Sequence, residues 1–348
     1  MDILERCKDA CRRKPGIVVF ADCLDQRVIE AAGQLKVEGL AEPVLLQSPF
    51  AVLSKMKEAR SCGVSLTVVD HTSPDLLKKN SESYAAIREE KGKPIASEAA
   101  QEALRCPLAA AAMMVRRGEA DVGVAGNLSS TAAVLRAGLS VLPKKSGIKT
   151  ISSFFLMVSP GGETRYIFAD CAVVPEPSAD TLADIAIASA DKASVLLGEA
   201  PRVAMLSFST KGSAKHLRAK MVGEAVEKIR SREPELLVDG ELQFDAAVVP
   251  GIAALKAPGS LIEGKANVLV FPSLEAGNIG YKMVERLAGY TAIGPFLQGF
   301  EGGWHDLSRG CSAKDIFKVA VIGLYLQNGT LKKNETDVWM KMKSSTNL

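Results

Sequence analysis

The chain has 348 residues, of which 47% are apolar and 24% are charged. Its length suggests about two domains, and its composition excludes long disorder, a collagen-like repeat and a disulfide miniprotein. The formal net charge of +3 is too small to favour nucleic acid or an anionic membrane as a partner. Any anion would therefore bind at a local site.

Cysteine usage and the N-terminal residues predict a cytoplasmic protein with reduced thiols. The seven cysteines form no C-x-x-C pair, and the three histidines, His71, His216 and His305, stand far apart. Neither a metal site nor a disulfide framework is therefore predicted. Residues 1–15 are charged, unlike a signal peptide, and no apolar run approaches the ~18 residues of a membrane-spanning helix.

Short apolar runs that alternate with helical patterns predict an α/β fold. The predicted strands are 16–20, 65–69, 121–125, 202–206, 245–249 and 267–271. Alanine-rich stretches with helical spacing predict helices over 98–117 and 178–197. Because the strands are apolar without alternation, we expect mostly parallel sheets that are covered on both faces.

The pattern changes near residue 147, where we expect a domain boundary. The stretch 141–149 is polar and contains Pro143 and Gly147. Strand-like runs follow at 150–158 and 166–169, and the Ser-Pro-Gly-Gly sequence between them predicts a β-hairpin.

Several loops have the composition of ligand-binding turns. In open α/β sheets, ligands bind beyond the carboxyl ends of strands, where helix N-termini offer free N–H groups. Residues 126–131 (GNLSST) follow a predicted strand, and Ser129, Ser130 and Thr131 could donate hydrogen bonds to a phosphate. The alternative is that Ser129 or Ser130 caps the next helix.

Two further loops leave both a binding role and a structural role open. Residues 207–213 include Ser209 and mix hydroxyls with glycine and lysine, as a solvated turn also would. In residues 271–282, Asn278 lies between Gly277 and Gly280, and such glycines allow a ligand to approach the backbone closely.

The loop at residues 305–312 precedes a helix predicted from residue 313. Arg309 lies between Ser308 and Gly310, which suits a tight anion-binding turn. Asp315 lies three residues after Ser312, which is the spacing of a capping box. Alternatively, Asp315 is an ionised carboxylate near Arg309 that can accept a proton.

Other motifs in the sequence carry no comparable signal. Residues 259–266 resemble a Walker A loop, but they end in alanine and precede a strand. No G-x-G-x-x-G motif follows a strand, and there is no G-x-S-x-G motif. His305 could be a general base or a structural histidine beside Trp304, and Cys311 could be a nucleophile or a packed thiol.

Taken in order, these motifs resemble those of the phosphate acetyltransferase (phosphotransacetylase) family across residues 1–328. The stretches that carry the resemblance are 84–88 (YAAIR), 125–132 (AGNLSSTA), 168–172 (FADCA), 202–209 (RVAMLSFS), 239–246 (DGELQFDA), 271–278 (FPSLEAGN) and 306–311 (DLSRGC). Residues 303–310 (GWHDLSRG) and the FPSLEAGN stretch resemble the ethanolamine-utilisation branch in particular.

The resemblance implies the reaction acetyl-CoA + phosphate ⇌ CoA + acetyl phosphate, with CoA as a substrate and without a metal, another cofactor or a covalent intermediate. It also implies an isocitrate-dehydrogenase-like fold of two α/β domains, with the active site in the cleft between them. Residues 1–146 and 295–348 would form the domain that carries most catalytic residues. Residues 147–294 would form the domain that pairs in a homodimer. The branch leaves packaging in a bacterial microcompartment open as an alternative to a free cytoplasmic enzyme.

Matching residues imply individual roles in a ternary complex. Asp315 would deprotonate the CoA thiol, Ser308 would stabilise the reacting group, and Arg309 would polarise the acetyl carbonyl and hold phosphate. Arg136 and Arg88 would bind phosphate or CoA, with Glu89 and Glu90 as competing partners for Arg88. The remaining candidates for contact with CoA or phosphate are Ser129, Ser130, Thr131, Ser209, Gly277 and Asn278.

Three other functions remain open at this point. A phosphate butyryltransferase would use the same chemistry with a roomier acyl pocket. A decarboxylating dehydrogenase of similar fold would need a nicotinamide site and aspartate ligands for a metal, and neither pattern is evident. A silent CoA-binding or shell-associated scaffold protein would not need Ser308, Arg309 and Asp315.

Overall fold

The computed structural model describes residues 2–47, 51, 54 and 64–345, with side chains described as far as residue 329. The chain divides into two compact units, one formed by Met1–Pro143 and Phe300–Leu348 and the other by Lys144–Gly299. The divisions thus fall after residues 143 and 299, whereas the sequence predicted them after residues 146 and 294.

The first unit contains a five-stranded sheet, and its helices precede and follow the strands along the chain. Its strands are β1 (Gly16–Phe20), β2 (Ala41–Leu46), β3 (Thr67–Val69), β4 (Val122–Ala125) and β11 (Gly303–Asp306). Its described helices are α1 (Ile3–Arg13), α2 (Gln26–Val37), α3 (Pro74–Glu90), α4 (Ser97–Leu104), α5 (Pro107–Arg116), α6 (Thr131–Val141) and α12 (Ala313–Ser345).

The winding of this sheet reverses between β1 and β4. The strand order is β11-β4-β1-β2-β3, and every neighbouring pair is parallel. The chain runs from β1 through β2 to β3, and it then returns to the other side of β1 to form β4. In doubly wound sheets such a reversal leaves a crevice at the carboxyl ends of the two strands, where ligands bind.

The second unit contains a six-stranded mixed sheet in the order β10-β5-β6-β9-β7-β8. Its strands are β5 (Ser152–Val158), β6 (Arg165–Ala169), β7 (Arg202–Leu206), β8 (Leu237–Leu242), β9 (Val268–Val270) and β10 (Thr291–Gln298). Its helices are α7 (Ala179–Leu197), α8 (Leu217–Arg232), α9 (Phe244–Val248), α10 (Pro250–Lys256) and α11 (Leu274–Ala288). The β10–β5 and β5–β6 pairs are antiparallel, and the other pairs are parallel.

The predicted α/β class with mostly parallel sheets is confirmed. The antiparallel β5–β6 pair confirms the predicted hairpin. The predicted helix over 178–197 is observed as α7, with Ser178 as its N-cap. No described helix is both long enough and apolar enough to cross a membrane. Cys62 lies outside the described residues, and the other six cysteines are free thiols.

Two predicted elements were wrong. The single helix expected over 98–117 is two helices, α4 and α5, because Pro107 lacks an N–H group and begins a new helix. The strand expected over 245–249 is instead helix α9, followed directly by α10. Periodicity alone cannot distinguish a strand from a helix in an apolar run this short, and Ala246 and Ala247 favour the helix.

Trp304 fixes β11 against its neighbours in the first unit. Its side chain is fully buried, and its indole N–H donates to the Val134 carbonyl of α6 at 3.0 Å. A Cβ atom on Gly123 of β4 would lie 2.5 Å from the Trp304 ring, and one on Gly138 of α6 would lie 2.9 Å away. These two glycines make room for the indole, which thereby sets the position of the loop after β11.

Helix α11 packs against the loop after β6 through Gly277. A Cβ atom at Gly277 would lie 2.2 Å from the Asp170 carbonyl oxygen and 3.2 Å from the Cys171 Sγ atom. The neighbouring Asn278 side chain donates to the Cys171 carbonyl at 2.9 Å. Because backbone cannot move aside as a side chain can, glycine is required here by packing within the protein.

We expect Gly277→Ala to lower the melting temperature, because the clash with backbone outweighs alanine's roughly 1 kcal/mol advantage in a helix. Gly251→Ala in α10 is the matched control, since a Cβ atom there meets nothing within 4 Å. The control should be as stable as the parent or slightly more stable. Thermal unfolding of both variants tests this, and equal stability of Gly277→Ala and Gly251→Ala would contradict it.

Candidate functional site

The carboxyl ends of β1, β4 and β11 lie side by side and carry three loops. Phe20 of β1 aligns with Val124 of β4, and Asp306 of β11 aligns with Ala125 of β4. The loops that follow, residues 21–25, 126–130 and 307–312, therefore meet at the point where the winding of the sheet reverses. The sequence motif at 305–312 and the one at 126–131 are thus brought together in the first unit.

Asp22 binds the backbone N–H groups of the loop after β4, which the sequence predicted would bind a phosphate. Its carboxylate accepts hydrogen bonds from the N–H groups of Gly126, Leu128 and Ser129 at 2.9, 3.2 and 3.1 Å. It also accepts one from the Ser129 hydroxyl at 2.7 Å. The loop after β4 thus binds an anion, and that anion is the protein's own buried side chain.

The hydroxyl groups of the same loop also have internal partners. The Ser130 hydroxyl accepts from the Ala133 N–H group as the N-cap of α6, which is the capping role left open above. The Thr131 hydroxyl donates to the Asp306 carboxylate at 2.6 Å and so links α6 to β11. In this structure Ser129 and Thr131 link the three loops, and Ser130 caps α6.

Arg27 and Asp25 connect the loop after β1 to the loop after β11. The Arg27 guanidinium donates to both carboxylate oxygens of Asp25, and its Nη1 atom donates to the Arg309 carbonyl at 2.9 Å and the Cys311 carbonyl at 2.5 Å. This contact with Arg27 holds the pKa of Asp25 below its usual value. The Asn127 amide donates to Asp25 at 3.2 Å.

Ser308 to Cys311 form a tight turn with Arg309 at its tip. The Cys311 N–H group donates to the Ser308 carbonyl at 3.0 Å, and the Gly310 N–H group donates to the Ser308 hydroxyl oxygen at 3.3 Å. Ser308, Arg309 and Gly310 are exposed. The Arg309 side chain makes no hydrogen bond or ion pair with any residue that the structure describes.

Asp315 forms the capping box with Ser312 and keeps one oxygen outside it. Its Oδ2 atom accepts from the Ser312 N–H group at 2.9 Å and from the Ser312 hydroxyl at 2.7 Å, while its own N–H group donates to the Ser312 hydroxyl at 3.2 Å. The Oδ1 atom lies 4.0 Å from the Lys318 Nζ atom, and 47% of the side chain is exposed. The capping role is therefore real, and a solvent-facing oxygen remains for other chemistry.

Arg88 and Arg136 lie on two helices that contact each other, α3 and α6. Arg88 is a partly buried residue in the last turn of α3, and its buried Nε atom has no hydrogen-bond partner within the described chain. Glu90 pairs with Arg116 rather than with Arg88. Arg136 is exposed, and no described residue forms a hydrogen bond or ion pair with its side chain.

The candidates of the second unit have internal partners. Ser209 is fully buried, and its hydroxyl bonds to the Glu241 carboxylate at 2.9 Å and accepts from the Ala214 N–H group at 3.0 Å. Gly277 and Asn278 contact the loop after β6, as described above. The sequence pattern of these residues is thus accounted for by packing and by hydrogen bonds within the unit.

His305 and Cys311 are both buried. His305 is 5% exposed, and its ring packs against Gly323 of α12. Burial raises the pKa of the Cys311 thiol to about 11, although the charge of Arg27 opposes this. A thiol in that environment stays protonated near neutral pH, so Cys311 is a packed thiol in this structure.

The residues that sequence reasoning missed are those that position the loops. They are Asp22, Asp25, Arg27, Asn127 and Asp306. The signal was available for Asp22 and Asp25, because they directly follow β1 as residues 126–131 follow β4. Among the described residues, no cluster of three or more His, Cys, Asp or Glu side chains is arranged to hold a metal ion.

Asp306 is a buried carboxyl group next to Asp22. It is 1% exposed, and its Oδ1 atom has no hydrogen-bond partner among the described residues. Burial raises the pKa of Asp306 to about 6, the hydrogen bond from Thr131 opposes the increase, and the charge of Asp22 adds to it.

We expect Asp306→Asn to become more stable relative to the parent as the pH rises from about 5 to about 7.5. Because the folded-state pKa lies above the ~3.9 of an unfolded aspartate, the contribution of the neutral acid is present at low pH and is lost as pH rises through about 6. Asparagine stays neutral and keeps an oxygen for Thr131. Melting temperatures measured across this range test the sign, and a pH-independent difference would contradict it.

Comparison with known proteins assigns the chain to a family. The family model described as phosphate acetyl/butaryl transferase matches residues 2–324. A phosphate acetyltransferase of Acetivibrio thermocellus is 41% identical over 326 residues, covering 92% of this chain and 97% of that protein. One of Bacillus subtilis is 42% identical over 325 residues, covering 92% of this chain and 98% of that protein.

Solved structures agree with the sequence comparison. The EutD phosphotransacetylase from Staphylococcus aureus superposes with a TM-score of 0.86 at 39% identity, covering 93% of this chain and 98% of that one. The family resemblance inferred from the sequence motifs is thereby confirmed. This chain belongs to the phosphate acetyl/butaryl transferase family and is an acyltransferase.

Proposed function

We propose that the protein transfers an acetyl group between CoA and phosphate, acetyl-CoA + phosphate ⇌ CoA + acetyl phosphate. The observation that carries the proposal is the turn at Ser308–Cys311, directly before helix α12. It presents the Arg309 guanidinium, which has no partner among the described residues. Four residues beyond the turn, Asp315 keeps a carboxylate oxygen outside its capping box. An anion-binding group and a proton acceptor thus stand at the same end of the sheet.

In the proposed step, the CoA sulfur attacks the carbonyl carbon of acetyl phosphate. Asp315 accepts the thiol proton, a C–S bond forms, the bond from carbon to the phosphate oxygen breaks, and phosphate leaves with the electron pair. A thiol with a pKa of ~8.5 is only a few per cent ionised at neutral pH, so a positioned base increases the reactive fraction. The reverse step returns the proton from Asp315 to the CoA sulfur.

Ser308 and Arg309 suit the negative charge that develops during the attack. The Ser308 hydroxyl oxygen accepts from the Gly310 N–H group, which leaves its O–H bond available to donate. The Arg309 guanidinium can bind the acyl oxygen or two phosphate oxygens through its planar fork. Fixed donors of this kind stabilise a developing oxyanion, and removal of one typically lowers kcat by roughly 10²–10³-fold.

Arg88 and Arg136 are the candidates for holding the anionic parts of CoA. Neither side chain has an acidic partner among the described residues, and the two helices that carry them contact each other. The hydroxyls of Ser129, Ser130 and Thr131 already have partners in the structure, so we assign that loop a supporting role.

One observation favours the acetyl group over the butyryl group, and another favours the ethanolamine-utilisation branch. The family description covers both acyl groups, but the curated relatives reported above are phosphate acetyltransferases. A solved relative of similar fold is an EutD phosphotransacetylase, which agrees with the residues 303–310 and 271–278 that resemble the ethanolamine-utilisation branch. A role in ethanolamine catabolism, a homodimeric state and a cytoplasmic or microcompartment location remain predictions.

We expect the purified protein to form acetyl-CoA from acetyl phosphate and CoA, and to do so equally well in the presence of a chelator. The absorbance of the thioester bond measures the rate directly. Butyryl phosphate offered at the same concentration should react more slowly, and a faster butyryl reaction would favour a butyryltransferase. Absence of thioester formation with either substrate would contradict the proposal.

Asp315 and Ser312 form a matched pair that separates catalysis from capping. Asp315→Asn should lower kcat by roughly 10²-fold or more while raising the KM for CoA much less, because asparagine cannot accept the thiol proton. Ser312→Ala removes the other half of the capping box and should lower stability by about 1 kcal/mol with kcat largely retained. If Asp315→Asn loses only stability and keeps its kcat, Asp315 is a helix cap and nothing more.

A further inference from the structure

Arg27 is the side chain through which the proposed catalytic turn is attached to the sheet. It lies in the first turn of α2, and its guanidinium reaches residues of three loops. The Nη1 atom donates to the carbonyls of Arg309 and Cys311, and the Nη2 atom donates to the Asn127 carbonyl at 3.3 Å.

These contacts fix the backbone on both sides of the tip of the turn. The Ser308 carbonyl already accepts the N–H group of Cys311, which closes the turn. The carbonyls of Arg309 and Cys311 have Arg27 as their donor. The direction in which Arg309 leaves the backbone therefore depends on a cation that belongs to a different loop.

Asp25 holds Arg27 in the orientation that these contacts require. It binds the guanidinium through both carboxylate oxygens, with each Nε–Oδ distance at 3.0 Å. It also caps α2 by accepting the Arg27 N–H group at 2.9 Å. A planar guanidinium bound on one edge by a carboxylate has its remaining N–H bonds directed, whereas a lysine ammonium in the same place would not.

We propose that Arg27 is a positioning residue that, together with Asp25, sets the geometry of Ser308 and Arg309 for acyl transfer. The inference rests on the proposed function. It assigns Arg27 no contact with substrate, because four of its donor bonds are directed at Asp25, Arg309 and Cys311 within the protein. A misplacement of a reacting group by about 1 Å can lower a rate roughly 10²-fold.

Steady-state kinetics of Arg27 variants test this role. Arg27→Ala should lower kcat by roughly 10²-fold while the KM values for CoA and acetyl phosphate change by less than about threefold. Arg27→Lys should recover part of the rate, since an ammonium can donate to one or two of the carbonyls. Arg12→Ala is the matched control, because Arg12 also pairs with a nearby aspartate but lies on the exposed face of α1.

Asp25→Asn provides a second variant that retains the fold. Asparagine caps helices as well as aspartate does, so α2 should remain intact. The variant loses the charge and one of the two acceptor oxygens that orient Arg27, and we expect a smaller decrease in kcat in the same direction, with at most a small decrease in melting temperature.

A double-mutant cycle shows whether Arg27 acts through Arg309. If it does, Arg27→Ala should have little further effect in the Arg309→Ala background, whereas independent effects would multiply. Arg309→Ala with unchanged kinetics would contradict the proposed function itself, which distinguishes the two failures.

Three results would overturn the positioning role. The first is that the effects of Arg27→Ala and Arg309→Ala on kcat multiply in the double variant. The second is that Arg27→Ala increases the KM for CoA or acetyl phosphate and retains kcat. The third is that Arg27→Ala loses thermal stability but has normal kinetics. The second of these would identify Arg27 as a substrate-binding residue.

Discussion

The carboxylate of Asp22 accepts four hydrogen bonds from the loop after β4, and the arrangement of the candidate site depends on this contact. The loop begins at the point where the winding of the first sheet reverses, so its N–H groups have no strand to pair with. Asp22, from the loop after the neighbouring strand β1, satisfies them. Without it, the buried Gly126 N–H group would be left unpaired at a penalty of about 1–3 kcal/mol.

The same end of the sheet is built by side chains that link one loop to the next. Thr131 donates to Asp306, Asn127 donates to Asp25, and Arg27 donates to the turn that carries Arg309. These contacts leave Arg309 and one oxygen of Asp315 facing solvent. Arg309 has no side-chain partner among the described residues, and its backbone is held by groups that have several partners, which is the arrangement expected of a preorganised anion site.

Asp315, in the first turn of α12, illustrates how one residue can have two roles. Asp315 and Ser312 satisfy the first N–H groups of the helix, as a capping box does. That role uses one carboxylate oxygen and fixes the side chain, so the other oxygen has a defined position. The structural interpretation and the catalytic interpretation of Asp315 are therefore compatible, because the backbone N–H group of Ser312, which Ser312→Ala would retain, holds one oxygen of the proposed base and leaves the other outside the cap.

The sequence by itself determined the α/β class, the hairpin, the family and the loops that bear Ser308, Arg309 and Asp315. These follow from local periodicity and from motifs that are contiguous in the chain. It misassigned residues 245–249 as a strand, because a five-residue apolar run fits either element. Only the tertiary structure showed that Asp22 accepts hydrogen bonds from the N–H groups of residues 126–129. It also showed that Arg27 binds the turn at Arg309 and that Gly277 packs against the Asp170 backbone. Each of these contacts joins residues about 100 or more positions apart, and strand order, which no local pattern specifies, decides which loops become neighbours.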